Sequence, residues 1–188
     1  MIKIGITGSL SSGKSTVVKF MSRNKYPVFS ADKTVKSLYK KKIFKEKVKK
    51  KFSLKNTKNL KEKIKNLIQK DKKILKQLEL IIHPLVRKEM KSFMKLKKGK
   101  KIKLLEIPLL IESKLMKYFD IVIFVCAKKN IRIKRYTSAG GNKKIFTVLE
   151  KRQTSTRIKI KKSDFVIYNN KSLKNLKKKV NFFIKKYE

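Results

Sequence analysis

Residues 2–15, "IKIGITGSLSSGKS", constrain this chain more than any other stretch. The apolar run from Ile2 to Thr7 reads as a strand. It leads into a full match to G-x-x-x-x-G-K-[ST], from Gly8 through Gly13, Lys14 and Ser15. After Gly13 the pattern turns helical, with Val17, Val18, Phe20 and Met21 on the inner side. Gly8 and Gly13 permit backbone torsions that turn successive N–H groups inward. Lys14 reaches the β- and γ-phosphates, the Ser15 hydroxyl ligates Mg²⁺, and the helix N-terminus adds partial positive charge. Gly8, Ser11, Ser12, Gly13, Lys14, Ser15 and Thr16 are therefore expected to hold a nucleoside triphosphate, ATP with Mg²⁺. Lys14 also takes a catalytic part by balancing charge during transfer.

Further along, strand and helix patterns alternate. "YPVF" reads as a second strand, and strands return at Ile102 to Ile107, Ile121 to Cys126 and Phe165 to Tyr168. From Lys33 to about Lys98 the pattern is helical and lysine-studded, with Leu60, Ile64, Leu67, Leu75, Leu78 and Ile82 at helical spacing. A closing helix presents Leu173, Leu176, Val180 and Phe183 as core. The expectation is one α/β domain over residues 1–188: a three-layer fold with a mostly parallel sheet, a helical substrate-binding insertion over about 33–98 and a lid over about 130–150.

Composition decides less than its extremes suggest. Of 55 basic residues only six are Arg, against 12 acidic ones, for a formal net charge of +43. Evolved readers of phosphate and base lean on the arginine fork. Here the lysine excess comes with abundant Ile, Asn, Phe and Tyr, which share A/T-rich codons. The surface is read as compositional, and nucleic acid is expected to bind it only non-specifically. No apolar stretch approaches the ~20 residues of a membrane span, and Met1 leads directly into a strand pattern, so a cytoplasmic enzyme with no membrane partner is expected. The single cysteine, Cys126, reads as a buried strand residue. Oligomeric state is left open.

With acids so scarce, each one beyond a strand end is informative. Asp32 follows the second strand in "FSADK", where it suits orienting an attacking hydroxyl and equally suits a helix N-cap. Glu106 ends "KIKLLE", the acidic position after an apolar strand that assists a metal, or else a surface glutamate. Glu112 in "PLLIE" is a weaker candidate of that type.

"IGITGSLSSGKSTV", "PVFSADK", "IIHPLVRKEM", "EIPLLIE" and "SDFVIYNN", in this order, resemble the dephospho-coenzyme A kinase family nearly end to end. The resemblance implies a P-loop kinase fold and ATP-dependent phosphorylation of the ribose 3′-hydroxyl of dephospho-coenzyme A, the last step of coenzyme A synthesis. It implies that Asp32 acts on that hydroxyl, that His83 is a substrate-side histidine, and that Arg87 and Lys65 meet substrate phosphates. It also implies that Arg135 is a catalytic lid arginine and that Asn169 and Asn170 lie near the nucleotide. Read without it, His83 is a helix-end residue before Pro84 and the Asn pair is a turn. Ser15 and Glu106 form the expected metal pair. Two positions depart from the family. Ser30 stands where its Asp-Ala-Asp pattern has a first carboxylate, and Ala139 and Gly140 stand where its lid has Arg-Asp, with Gly140 and Gly141 expected to loosen the segment. The rival readings are a kinase for another small acceptor such as a nucleoside, and a nucleic-acid-binding P-loop ATPase.

Overall fold

The structure is a computed structural model that describes residues 1–23, 25–71, 73–96 and 101–187. It divides into two compact units, one of Met1–Ser30 with Lys97–Glu188 and one of Ala31–Leu96.

The first unit is α/β. Its strands β1 (Ile2–Gly8), β2 (Val28–Ser30), β3 (Ile102–Glu106), β4 (Ile121–Cys126) and β5 (Phe165–Tyr168) form one sheet in the order β2-β3-β1-β4-β5, every pairing parallel. A parallel sheet covered on both faces needs strands that are apolar on both sides, which is why they read as continuous runs of Ile, Leu, Val and Phe. Ile4, Ile6, Leu104, Ile123 and Val125 pack with Val17, Val18 and Met21 of helix α1 (Lys14–Ser22) and with Leu176, Val180, Phe183 and Ile184 of α9 (Leu173–Lys185). Register places Ile6 beside Glu106 and Ser30 beside Glu106, so β2 and β3 end together and β1 runs two residues further, to Gly8.

Two sequence expectations shift here. The second strand begins after Pro27, which has no N–H to give a ladder, and Tyr26 is buried in the core instead. Leu173 is 64% exposed, because helical spacing gives a face but not the point along the helix where packing begins.

The second unit is helical among its described residues: α2 (Ala31–Leu38), α3 (Lys42–Lys51), α4 (Leu60–Lys70) and α5 (Lys73–Lys95). The helical insertion expected from Lys33 to Lys98 thus contains four helices, and its expected end lies outside the described residues. The unit has a core of its own, from Leu38, Phe44, Val48, Leu60, Ile64, Leu78 and Ile81. The α5 helix runs through Pro84. A proline there removes one bond to the carbonyl of Leu80, and Leu80 lies at the surface, where water can take its place. Buried Leu78, Ile81 and Met90 on both sides of the proline hold the helix together. Among the described residues no helix is long and apolar enough to cross a membrane.

Candidate active site

The loop between β1 and α1 is held in a conformation that requires its two glycines. Gly13 has φ +92° and Ser11 φ +56°, both left-handed. A Cβ on Gly13 would run into the Asn169 amide, and one on Gly8 would lie 2.6 Å from the Val125 carbonyl, so both glycines are steric requirements. The Ser12 N–H donates to the Ser9 carbonyl at 3.1 Å and closes the turn. Helix α1 then starts with no side-chain cap and no acid in its first turn. Its first N–H groups and its positive dipole end are thus left for an anion.

The residues around the loop come from far along the chain. Asn169, buried just past β5, donates its Nδ2 to the Ser12 carbonyl at 2.8 Å and its backbone N–H to the Cys126 carbonyl at 2.7 Å. Arg135, on helix α6 (Lys129–Ser138), donates Nη1 to the Ser12 carbonyl at 3.4 Å and Nη2 to the Asn169 carbonyl at 3.1 Å. Lys14 Nζ reaches the Ser9 carbonyl at 3.4 Å. The Ser12 hydroxyl is buried and finds no protein partner, which is a strong reason to expect a ligand oxygen beside it.

Ser15 Oγ donates to Glu106 Oε1 at 2.6 Å, so the two expected metal residues meet at the head of α1. Hard oxygens from a hydroxyl and a carboxylate fit Mg²⁺, which takes one or two protein ligands and completes its shell with phosphates and water. Thr16 follows half-buried, and Ser11 is half-buried on the loop. Glu112 is tied elsewhere: its Oε1 accepts from the Thr154 N–H at 2.9 Å and from Lys159 Nζ at 2.8 Å, on helix α8 (Thr156–Lys162).

The remaining candidates belong to the second unit. Asp32 is exposed in the first turn of α2, two residues past Ser30. Lys65 is exposed on α4. His83 is half-buried in the middle of α5, not at a helix end as its proline neighbour suggests. Arg87 lies one turn beyond it, on the same face, and lines a groove of about 350 Å³ with Pro84, Lys88, Lys91, Ser92 and Lys95. Asn170 accepts from the Lys128 N–H at 2.8 Å.

The lid segment is more ordered than its glycines suggest. Gly140 has φ +82°; its N–H donates to the Thr137 carbonyl and that of Gly141 to the Tyr136 carbonyl, both at 2.9 Å. This paired closure is a Schellman cap, which ends α6 in a defined turn. Helix α7 (Lys143–Lys151) follows, capped by the Asn142 side chain, and Tyr136 meets Phe146 edge to face. Sequence reasoning missed Arg132, which is buried between these elements. Its one signal was Glu150, a rare acid 18 residues on, with which it pairs. Burial pushes the Glu150 carboxyl up, but hydrogen bonds from Lys129 and Arg132 outweigh this and hold it below its ordinary value.

Comparison with known proteins adds an independent line. The family model described as dephospho-CoA kinase matches residues 2–175. A dephospho-CoA kinase of Bartonella henselae is 37% identical over 187 residues, covering 97% of this chain and 96% of the relative. Among solved structures, TT1252 from Thermus thermophilus superposes with a TM-score of 0.79 at 28% identity, over 100% of this chain and 98% of its own. A dephospho-CoA kinase from Campylobacter jejuni shares the fold, with a TM-score of 0.70 at 23% identity over 99% and 97% of the two chains.

Proposed function

We infer, from the premise that this chain belongs to the dephospho-CoA kinase family, that the loop end of its sheet is the place of phosphoryl transfer. The chain is a kinase that phosphorylates dephospho-coenzyme A with ATP in coenzyme A biosynthesis. The acceptor oxygen in our reading is the ribose 3′-hydroxyl. The observation that carries the placement is the 2.6 Å bond from Ser15 to Glu106, beside an uncapped helix N-terminus and an unpartnered Ser12 hydroxyl.

Phosphoryl transfer asks little covalent chemistry of a protein; position and field do the work. The N–H groups of Ser11 and of Gly13 to Thr16 take the phosphate oxygens, the Ser12 hydroxyl adds a donor, and Lys14 balances the triphosphate. Ser15, with Glu106 behind it, would hold Mg²⁺, which would supply charge neutralisation to the triphosphate. Asp32 orients the 3′-hydroxyl and accepts its proton. Arg135, whose guanidinium already lies on the loop, adds positive charge as the γ-phosphoryl leaves. His83, Arg87 and Lys65 hold dephospho-coenzyme A on the helical insertion of what we take to be one kinase domain. The lysine surface attracts nucleic acid through phosphate charge alone, and the enzyme works in the cytoplasm. The deciding assay is ADP release with and without dephospho-coenzyme A, with the site of the new phosphate read on the product. Release that is independent of this acceptor, or faster with a nucleoside, overturns the reading.

A further inference from the structure

Arg132 is the least expected side chain of the loop's surroundings. Its side chain is only 6% exposed, yet its guanidinium meets three separate elements. Nε donates to the Ala127 carbonyl just past β4 at 3.0 Å, Nη1 to the Leu10 carbonyl on the loop at 3.4 Å, and Nη2 to Glu150 Oε1 on α7 at 2.5 Å. The plane also lies over the Phe146 ring, 5.5 Å from its centroid, and Lys129 holds the other Glu150 oxygen at 2.8 Å. A planar fork spreads its donors over three nitrogens in fixed directions, whereas an ammonium presents all of its donors from one point.

The contact with Leu10 matters because of peptide geometry. In a trans peptide the carbonyl of one residue and the N–H of the next point in opposite directions. Holding the Leu10 carbonyl toward α6 therefore turns the Ser11 N–H the other way. Asn169 and Arg135 do the same to the Ser12 carbonyl, and so to the Gly13 N–H. Arg132 and Arg135 sit three residues apart, neighbours on one face of α6. Two carbonyls of that stretch, those of Leu10 and Ser12, are thus drawn to one helix, and the amides that follow them face away from it. Ser11, at φ +56°, adopts a conformation that a non-glycine residue takes at a cost, so something must hold it.

We propose that Arg132 is a positioning residue of the ATP site, which sets the Ser11 N–H for a phosphate oxygen by gripping the Leu10 carbonyl while Glu150 fixes the guanidinium. The proposal rests on the reading that this loop takes the phosphates of ATP. Arg132 itself does not touch the nucleotide, and the pair makes α7 part of the nucleotide site's support.

The test uses the full chain with Arg132→Lys and Glu150→Gln, and measures KM for ATP, KM for dephospho-coenzyme A, kcat, ATP affinity by calorimetry and the amide resonances of Ser11 and Gly13. Arg132→Lys should raise KM for ATP and weaken ATP binding about 10-fold or more, the range for a hydrogen bond to a charged group. KM for dephospho-coenzyme A should stay within about two-fold. The Ser11 resonance should move further than that of Gly13. Glu150→Gln keeps an acceptor for Nη2 and should show the same split at smaller size. If Arg132→Lys does not fold, the split or its absence in Glu150→Gln decides. A folded variant with unchanged ATP affinity, or equal losses for both substrates, overturns the proposal. Failure of the functional reading looks different: the natural chain would bind ATP and transfer nothing to dephospho-coenzyme A, and calorimetry would still decide what Arg132 does.

Discussion

The nucleotide end of the first unit and the helical second unit commit their polar residues in opposite ways. Around the loop, polar atoms find partners far along the chain, 91 residues away for Ser15 with Glu106 and 157 for Asn169 with Ser12. In the second unit Lys65 and Arg87 stand exposed on helix faces. A site that works through backbone direction needs glycines, a strand end and a helix start in fixed order, whereas a site that works through charge on a helix needs only a residue type. In a chain with 49 lysines, residue type alone says little. The largest expected effect tests the first half of this contrast. Lys14→Ala should lower turnover about 10³-fold or more while the melting temperature stays close to that of the natural chain, because in the proposed site the side chain balances the triphosphate and takes no part in the core. Near-normal turnover at saturating ATP would remove the loop from the mechanism.

Asp32 belongs to the second unit by position and to the first by its proposed work. Asp32→Asn should cost about 10²- to 10⁴-fold in kcat with ATP affinity little changed, the range for a positioned acid–base group. A collapsed melting temperature at unaltered turnover would instead mark it as a helix-stabilising carboxylate in the first turn of α2.

Legibility followed the same divide. The ends of β4 and β5 were readable to the residue because a parallel sheet buries both faces and leaves unbroken apolar runs. The loop was readable because its glycines meet Asn169 and Val125 so closely that nothing else fits. Arg132 was not, since arginine is rarely buried and a partner 18 residues away leaves no periodic mark. His83 was misplaced at a helix end because proline normally stops a helix, and only packing by Leu78, Ile81 and Met90 carries α5 past it. The Gly140–Gly141 pair suggested looseness, whereas the same freedom allows the tight Schellman closure.

The lid sharpens the comparison at intermediate size. Arg135 is fixed on the loop, and Lys143 and Lys144 lie on the far side of the glycine turn. Arg135→Ala should cost about 10- to 10²-fold in single-turnover rate, more than Lys143→Ala and Lys144→Ala combined. Ala139→Arg should raise the rate above that of the natural chain, and a slower Ala139→Arg would show that this lid has no use for a second fork. Smaller still, Arg87→Ala should raise KM for dephospho-coenzyme A about 10-fold, and Lys65→Ala should raise it less, about two- to five-fold, since an exposed ammonium lacks the bidentate geometry of the arginine fork. Equal effects would mean that charge on helices is as specific as the loop, and the contrast would fail.

The smallest effect is on stability and comes from Glu150. Its folded carboxyl lies below its ordinary value of 4.5 because the hydrogen bonds from Lys129 and Arg132 outweigh the cost of burial. A carboxylate whose folded value is depressed binds its proton more readily when the chain is unfolded. Its stabilisation is therefore complete above 4.5 and is lost as pH falls through the lower folded value. Other carboxylates also protonate in that window, so the natural chain alone cannot isolate the pair; the difference from Glu150→Gln can. That variant keeps an oxygen for Arg132 and loses the charge, as the protonated acid does. The natural chain should melt about 2–4 °C higher than the variant above pH 4.5, if the charge contributes about 1 kcal/mol in a chain of this size. The two melting curves should converge as the acid is titrated. A gap that stays constant down to full protonation would mean that Glu150 acts through shape alone, and that the ionic half of the Arg132 grip contributes nothing to holding the loop.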